Sequence, residues 1–114
     1  AALAPRDTGL GPVYAVPKAL ERAGLTIGDL DLVEINEAFA SMAVASTRLL
    51  GLDHEIVNVN GSGCSLGHPI ACTGARMVIT LVHELRRRGG GLGVASMCAA
   101  GGMGSATVLE VMPG

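Results

Sequence analysis

The stretch Asn58–Arg76, NVNGSGCSLGHPIACTGAR, constrains this chain more than any other. The apolar residues at Val57–Val59 read as the end of a strand, and Gly61, Gly63 and Gly67 as a loop. His68-Pro69 then leads into an amphipathic run with the period of a helix. Glycine takes positive φ at no steric cost, so such a loop can turn tightly and bring its backbone close to a ligand. Proline suits the first turn of a helix and pushes the residue before it out of the α region. His68 is therefore expected to flank a helix N-terminus, its ring free to face a cleft. The partial positive charge there disfavours imidazolium, and a neutral imidazole can accept a proton near neutrality.

The rest of the chain fits around that stretch. Ala1–Pro12 reads as loop. Val13–Ala23 reads as a helix with Val16, Leu20 and Ala23 on one face, Pro17 in its first turns and Gly24 as its stop. Thr26–Leu30 is expected to form a turn and Leu32–Ile35 a strand. Asn36 is expected to cap a helix through about Leu50, with Glu37 against its N-terminal dipole and Ala38, Met42, Ala45 and Leu49 buried. Ile56–Val59 reads as a second strand. The next helix should run from about Pro69 to Arg88 on an apolar face of Ala71, Gly74, Ala75, Val78, Leu81, Val82 and Leu85. Leu92–Cys98 and Gly104–Val111 are expected as the last two strands. Helices alternating with strands predict an α/β layered domain.

Composition narrows the function. At 114 residues the chain is one small domain, able to bury roughly two-thirds of its unfolded surface. Seventeen glycines without a G-x-y repeat are loop and close-packing glycines. A net charge of −2 and only two aromatic residues, Tyr14 and Phe39, argue against nucleic acid as a partner. No apolar run approaches the ~18 residues of a membrane span, and no signal peptide is visible. The three cysteines match no zinc spacing, which predicts a reduced, cytoplasmic protein.

Three blocks together point to a family. The stretch above, NEAFA at Asn36–Ala40 and CAAGGMG at Cys98–Gly104 resemble, in order and at similar spacing, the C-terminal half of the thiolases. The resemblance implies residues 1–114 as a layered thiolase C-terminal domain with a mixed sheet. It also implies an opening strand in the middle of that sheet, upstream of Ala1, so the domain is expected to be truncated and to lack its first, central strand. The implied activity is acyl-CoA C-acyl transfer: thiolytic cleavage of a 3-ketoacyl-CoA, or the reverse Claisen condensation. Coenzyme A thioesters are then substrates, and no separate cofactor is expected. The expected partners are acyl-CoA and the missing N-terminal half, with no nucleic acid or membrane, and the parent enzyme is expected to be a homo-oligomer of fatty acid metabolism.

The resemblance also assigns residues. His68 matches the histidine that activates a nucleophilic cysteine. Cys98 matches the cysteine that moves a proton to and from the substrate α-carbon and the leaving thiol; by itself a buried cysteine is usually a small hydrophobe. Asn36 matches the asparagine that holds a water for an oxyanion hole, a role compatible with helix capping. Phe39, Gly67, Ala100 and Gly101 are the implied substrate-contacting positions. Ala100 departs from the family's CxGGG block, and its N–H survives as a donor unless the position needs φ > 0. His68 and Cys98 are expected to converge at strand–loop junctions, with Asn36 on the same cleft. His54 and His83 read as surface residues, and Arg86-Arg87-Arg88 as a basic helix end. The acyl-accepting cysteine is expected in the absent half, with Cys64 and Cys72 structural, so the fragment alone is expected to be inactive. Two other readings remain: a non-catalytic scaffold binding CoA or a subunit, and a dinucleotide-binding module, which the Leu66-Gly67 spacing fits poorly.

Overall fold

Strand β1 (Leu32–Ile35) is buried along its whole length, although it carries Glu34 among three apolar residues. It lies parallel to β2 (Gly91–Ala99), with Leu32 opposite Gly93 and Ile35 opposite Ser96. β2 folds back antiparallel onto β3 (Met103–Val111) through a turn of small residues at Ala100–Gly102. The result is a mixed sheet in the order β1-β2-β3, seen in a computed structural model that describes residues 1–114. β1 and β2 are direct hydrogen-bonded neighbours, so the three strands form one continuous sheet. Further pairing occurs only at the edges: Val57 bridges Val33 in parallel, and Ala2 bridges Met103 antiparallel.

Strand alternation gives the sheet two faces. Val33, Ile35 and Val94 point to one side, where α1 (Gly11–Ala23) brings Val16 and Leu20 and α2 (Ala40–Leu49) brings Met42 and Ala43. Leu32, Ala95 and Val111 point to the other, against Met77, Leu81 and Leu85 of the long C-terminal helix, Thr73–Arg87. Each fully buried Leu, Val or Met contributes roughly 1.5–3 kcal/mol by leaving water. The start of α1 is pressed onto the hairpin: a Cβ on Gly11 would stand 2.8 Å from the Met103 carbonyl oxygen and 3.1 Å from the Cys98 Cα. No helix is long and apolar enough to cross a membrane.

Several boundaries differ from the sequence reading, each for a local reason. α2 begins at Ala40 with Phe39 at its N-cap, so its buried face is Met42, Ala43 and Ser46, and Leu49 is exposed. Ile56–Val59 forms no strand. His54–Ile56 is a helical turn, Val57 makes its single bridge, and Asn58 sits at φ +51°. The Asn58 amide then takes the place of a strand: its Oδ1 accepts from Ile35 N–H at 2.8 Å and its Nδ2 donates to Ile35 C=O at 2.9 Å. The glycine loop contains a short helical segment, α3 (Gly63–Leu66), closed by a reciprocal Ser62–Ser65 capping box. The following helix, α4, starts at Thr73 rather than Pro69, with Cys72 as its N-cap. Its buried face is turned toward Thr73, Met77 and Glu84, leaving Ala71, Gly74 and Ala75 exposed. A glycine loop interrupted in this way, with no strand leading into it, lacks the strand–turn–helix geometry of a dinucleotide site.

Candidate functional site

The C-terminal ends of β1 and β2 lie side by side. Asn36, the residue after β1, donates its N–H to Ser96 C=O at 3.0 Å and is fully buried. It is not the helix cap that its sequence position implied. Alternation sends its side chain to the α4 side of the sheet, where Nδ2 lies 3.5 Å from His68 Nδ1. Asn36 Oδ1 is buried with no donor. His68 is an exposed residue whose Nδ1 is also 2.7 Å from the hydroxyl of Thr73, the first residue of α4. Thr73 is fully buried, and its hydroxyl reaches back to Pro69 C=O at 3.1 Å.

The loop that carries His68 is held from below by groups the sequence reading did not single out. Ser62 is fully buried and donates to Ile35 C=O at 3.1 Å. Arg76 reaches down from α4 to donate to Ser62 Oγ at 3.1 Å and to Glu34 Oε2 at 3.1 Å. Burial in the sheet pushes the Glu34 carboxyl up to about 7, against the opposing pull of Arg76. Glu37, expected as a helix-start charge, instead ties two loops together: its carboxylate accepts from Cys64 N–H at 2.9 Å and from Asn58 Nδ2 at 3.3 Å. The available signal was Glu34 itself, a carboxylate inside an otherwise apolar strand that must find a cation.

Cys98 is half-buried one position before the end of β2, and in alternation with Val94 it packs against the α1 and α2 face. No hydrogen bond joins its side chain to His68 or Asn36. The ends of β1 and β2 share one end of the sheet, and side-chain hydrogen bonds there join Asn36, His68 and Thr73. Burial pushes the Cys98 thiol up, which keeps it protonated at neutral pH. Ala100 is exposed and free of positive φ; that demand falls on Gly101 (φ +89°) and Gly102 (φ +83°). The departure at Ala100 therefore costs no backbone strain. Gly67 lies at φ +94°, and Phe39 is 70% exposed.

A cavity of about 460 Å³ lies elsewhere, along α2, lined by residues that include Ala43, Val44, Arg48, Leu52 and His54. It takes in Glu37 and Cys64 but none of His68, Cys98, Ala100 or Gly101. Exposed apolar side chains flank His68 in sequence: Leu66 at 55% and Ile70 at 84%. Arg87 and Arg88 both pair with Glu84, at 2.6 and 2.7 Å, and hold its carboxyl far below the usual range, so they do not form a phosphate site.

Known proteins share this fold. A family model described as "Thiolase, C-terminal domain" matches residues 1–111. The chain is 51% identical over 107 residues to the 3-ketoacyl-CoA thiolase of Bacillus subtilis, covering 94% of this chain and 27% of that protein. Among solved structures, Bacillus anthracis acetyl-CoA acetyltransferase superposes with a TM-score of 0.96 at 51% identity, over 98% of this chain and 28% of that one. The peroxisomal 3-ketoacyl-CoA thiolase of Saccharomyces cerevisiae, described as a five-layered structure of two core domains of identical topology, matches with a TM-score of 0.91 at 45% identity, over 97% and 31%. The chain thus spans about a quarter to a third of the length of these relatives. A glycine loop ending in Gly67-His68-Pro69, set beside Asn36 at the end of a mixed α/β sheet, here belongs to the thiolase C-terminal domain family.

Proposed function

We propose that this chain is the C-terminal catalytic half of an acyl-CoA C-acyltransferase, and that His68, Cys98 and Asn36 are its contribution to the active site. The observation that carries the proposal is the Asn36–His68 pair, a buried amide beside an exposed imidazole. Such a site is half-built, and the exposed Leu66 and Ile70 give a second half something to cover.

In the thiolytic direction His68 takes the proton of an acyl-accepting cysteine supplied by the other half. That thiolate attacks the 3-oxo carbonyl of the substrate. The C2–C3 bond breaks, its electron pair stays on C2, and the Cys98 thiol protonates that carbon to release acetyl-CoA. The Cys98 thiolate then takes the proton of a second CoA thiol, whose sulfur attacks the acyl-enzyme. The acyl-accepting cysteine leaves as a thiolate and regains its proton from His68. A thiol held protonated by burial suits the donor step. Phe39, Gly67, Ala100 and Gly101 are the proposed substrate contacts, and Ala100 N–H a proposed oxyanion donor. The reading also puts the acyl-accepting cysteine outside this chain, with Cys72 and Cys64 structural.

Two experiments test this. In a full-length polypeptide carrying this domain, His68→Ala is expected to lower turnover ~10²–10⁴-fold with little change in CoA affinity; near-wild-type turnover refutes the assignment. The chain alone, incubated with acetyl-CoA, is expected to show no acetyl adduct by intact mass. A stoichiometric adduct that disappears in Cys72→Ser would make the chain its own acyl acceptor.

A further inference from the structure

We infer that Arg76 is a positioning residue for the proposed reaction, a clasp that holds the His68 loop to the Asn36 end of β1 and so fixes the imidazole beside the amide. The inference rests on the reading of His68 as a proton acceptor, and extends it to a residue that touches no reacting atom.

The two groups to be held together come from separate parts of the chain. Asn36 is fixed in the sheet, where its N–H donates to Ser96 C=O at 3.0 Å. His68 is exposed, on the loop that leaves α3 and enters α4. Its ring lies 2.7 Å from the Thr73 hydroxyl and 3.5 Å from the Asn36 amide. Its place therefore depends on where the start of α4 stands against the end of β1. Met77, Leu81 and Leu85 keep α4 on the sheet by apolar burial. Burial is non-directional, and by itself it sets poorly how far the helix sits along the strand.

Arg76 supplies the direction. Its guanidinium is a planar fork whose two terminal nitrogens reach different anchors at a fixed spacing. Nη1 donates to Glu34 Oε2 at 3.1 Å, on the strand that leads into Asn36. Nη2 donates to Ser62 Oγ at 3.1 Å, the N-cap residue of α3, 14 positions back along the chain. Ser62 Oγ gives its single proton to Ile35 C=O at 3.1 Å and accepts from Arg76 with a lone pair, so each bond has its own hydrogen. The loop is thereby closed into a ring. Ser62 at its entry and Arg76 beyond its exit are bonded to each other, and each is bonded to one of the two residues before Asn36. The side chains of Arg76 and Glu34 are 18% and 3% exposed and Ser62 is fully buried, so water competes little for these bonds. Glu37 also ties the loop to the end of β1, through Cys64 N–H at 2.9 Å, but its bonds stop short of α4.

The clasp is tested in a full-length polypeptide carrying this domain, with kcat and KM measured below the unfolding temperature of each variant. Arg76→Ala is expected to lower kcat ~10–10²-fold with KM unchanged, the scale of a displacement of about 1 Å in a reacting group. Guanidinium ion added to that variant is expected to restore much of the loss, and sodium ion at equal ionic strength none of it. Ser62→Ala cuts one arm of the clasp, leaving the Glu34 pair and the bonds of Ser65 and Leu66 N–H to the backbone carbonyl of residue 62. It is expected to lower kcat several-fold, again at constant KM. In the 114-residue chain, the nuclear Overhauser contact between the Asn36 side-chain amide and the His68 ring is expected to weaken in the same variant. Wild-type kcat in Ser62→Ala overturns the inference whether or not Arg76→Ala folds. So does an unchanged Asn36–His68 contact, a loss confined to KM, or rescue by sodium as complete as by guanidinium. Full turnover in His68→Ala removes the reading of His68 itself, whereas full turnover in the clasp variants alone, with His68→Ala impaired, removes only the role of Arg76.

Discussion

The two faces of the sheet solve different problems. On the α1 and α2 side the core holds no buried charge: Val16, Leu20, Val33, Ile35, Met42 and Val94 meet there, with Ser46 of α2 a buried hydroxyl beside them. On the α4 side six apolar residues share the interface with Glu34, Asn36, Ser62 and Thr73, all buried, and with Arg76 reaching among them. The first face holds the fold, and it can do so by area alone. The second gives up part of that area to hold a loop and a ring in one geometry. Polar groups buried there are costly unless each finds a partner, and that cost is what makes the arrangement specific.

The comparison breaks most visibly at Arg76. Arg76→Met removes the cation beside a buried carboxylate and leaves Ser62 without its donor. Breaking one side of a buried pair costs about 3–5 kcal/mol. The loss should depend on pH, because Glu34 can escape by taking a proton: it should be largest at about pH 8 and much smaller at about pH 5. Urea unfolding of wild type and variant at both pH values measures it, and equal losses at the two would separate Arg76 from Glu34. On the other face, Leu20→Ala should cost roughly 2–5 kcal/mol, the transfer and cavity terms of a residue that is 2% exposed. That loss should not vary with pH. A pH-dependent loss there would mean that the two faces are coupled.

A smaller effect is expected where the faces meet at the edge of β1. Asn58→Ala removes two hydrogen bonds to Ile35 and places a Cβ-bearing residue without a compensating amide at φ +51°. The expected loss is about 3 kcal/mol, from ~1 for each of the two bonds plus ~1 for the left-handed conformation. Asn58→Gly keeps the conformation and loses only the bonds, so it should be the milder change. Equal losses would assign the whole effect to the amide.

Much of the apolar face was legible in the sequence, because its pattern is periodic. Val16 and Leu20 of α1 and the strand Leu32–Ile35 lie where periodicity put them. So does the pair of C-terminal strands, to within a residue. The polar face was not. Its elements start where side-chain bonds allow rather than where propensity points. Asn36 looks like a cap but is drawn into the end of the sheet by Ser96, and α2 waits until Ala40. Pro69 looks like a first helical residue but becomes the acceptor around which the turn into Thr73 closes. The three blocks identify His68, Cys98 and Asn36 as candidates one by one. What they do not give is the packing of strand residues, which depends on register, and so the contact of Cys98 with the α1 and α2 cluster came only with the structure.

The smallest expected effect concerns Glu34 itself, and it tests whether the polar face has a cost in water at neutral pH. Its carboxyl is raised from 4.5 to about 7 by burial, despite the Arg76 contact. The folded chain therefore holds a proton that the unfolded chain has released. The stability that this proton brings is present in full below about 4.5 and is lost as the pH rises through about 7. Glu34→Gln keeps an acceptor for Arg76 and nearly the same volume but cannot titrate. Its Tm should lie close to that of the wild type at low pH, and the wild type should then fall away from it between about pH 4.5 and 7. Parallel Tm curves across that range would show that Arg76 offsets burial, so that Glu34 titrates alike in the folded and unfolded chain. Curves that part in the other direction, with the wild type gaining on the variant as the pH rises, would mean that the ion pair stabilises the fold outright. The polar face would then hold the sheet together as well as the loop above it.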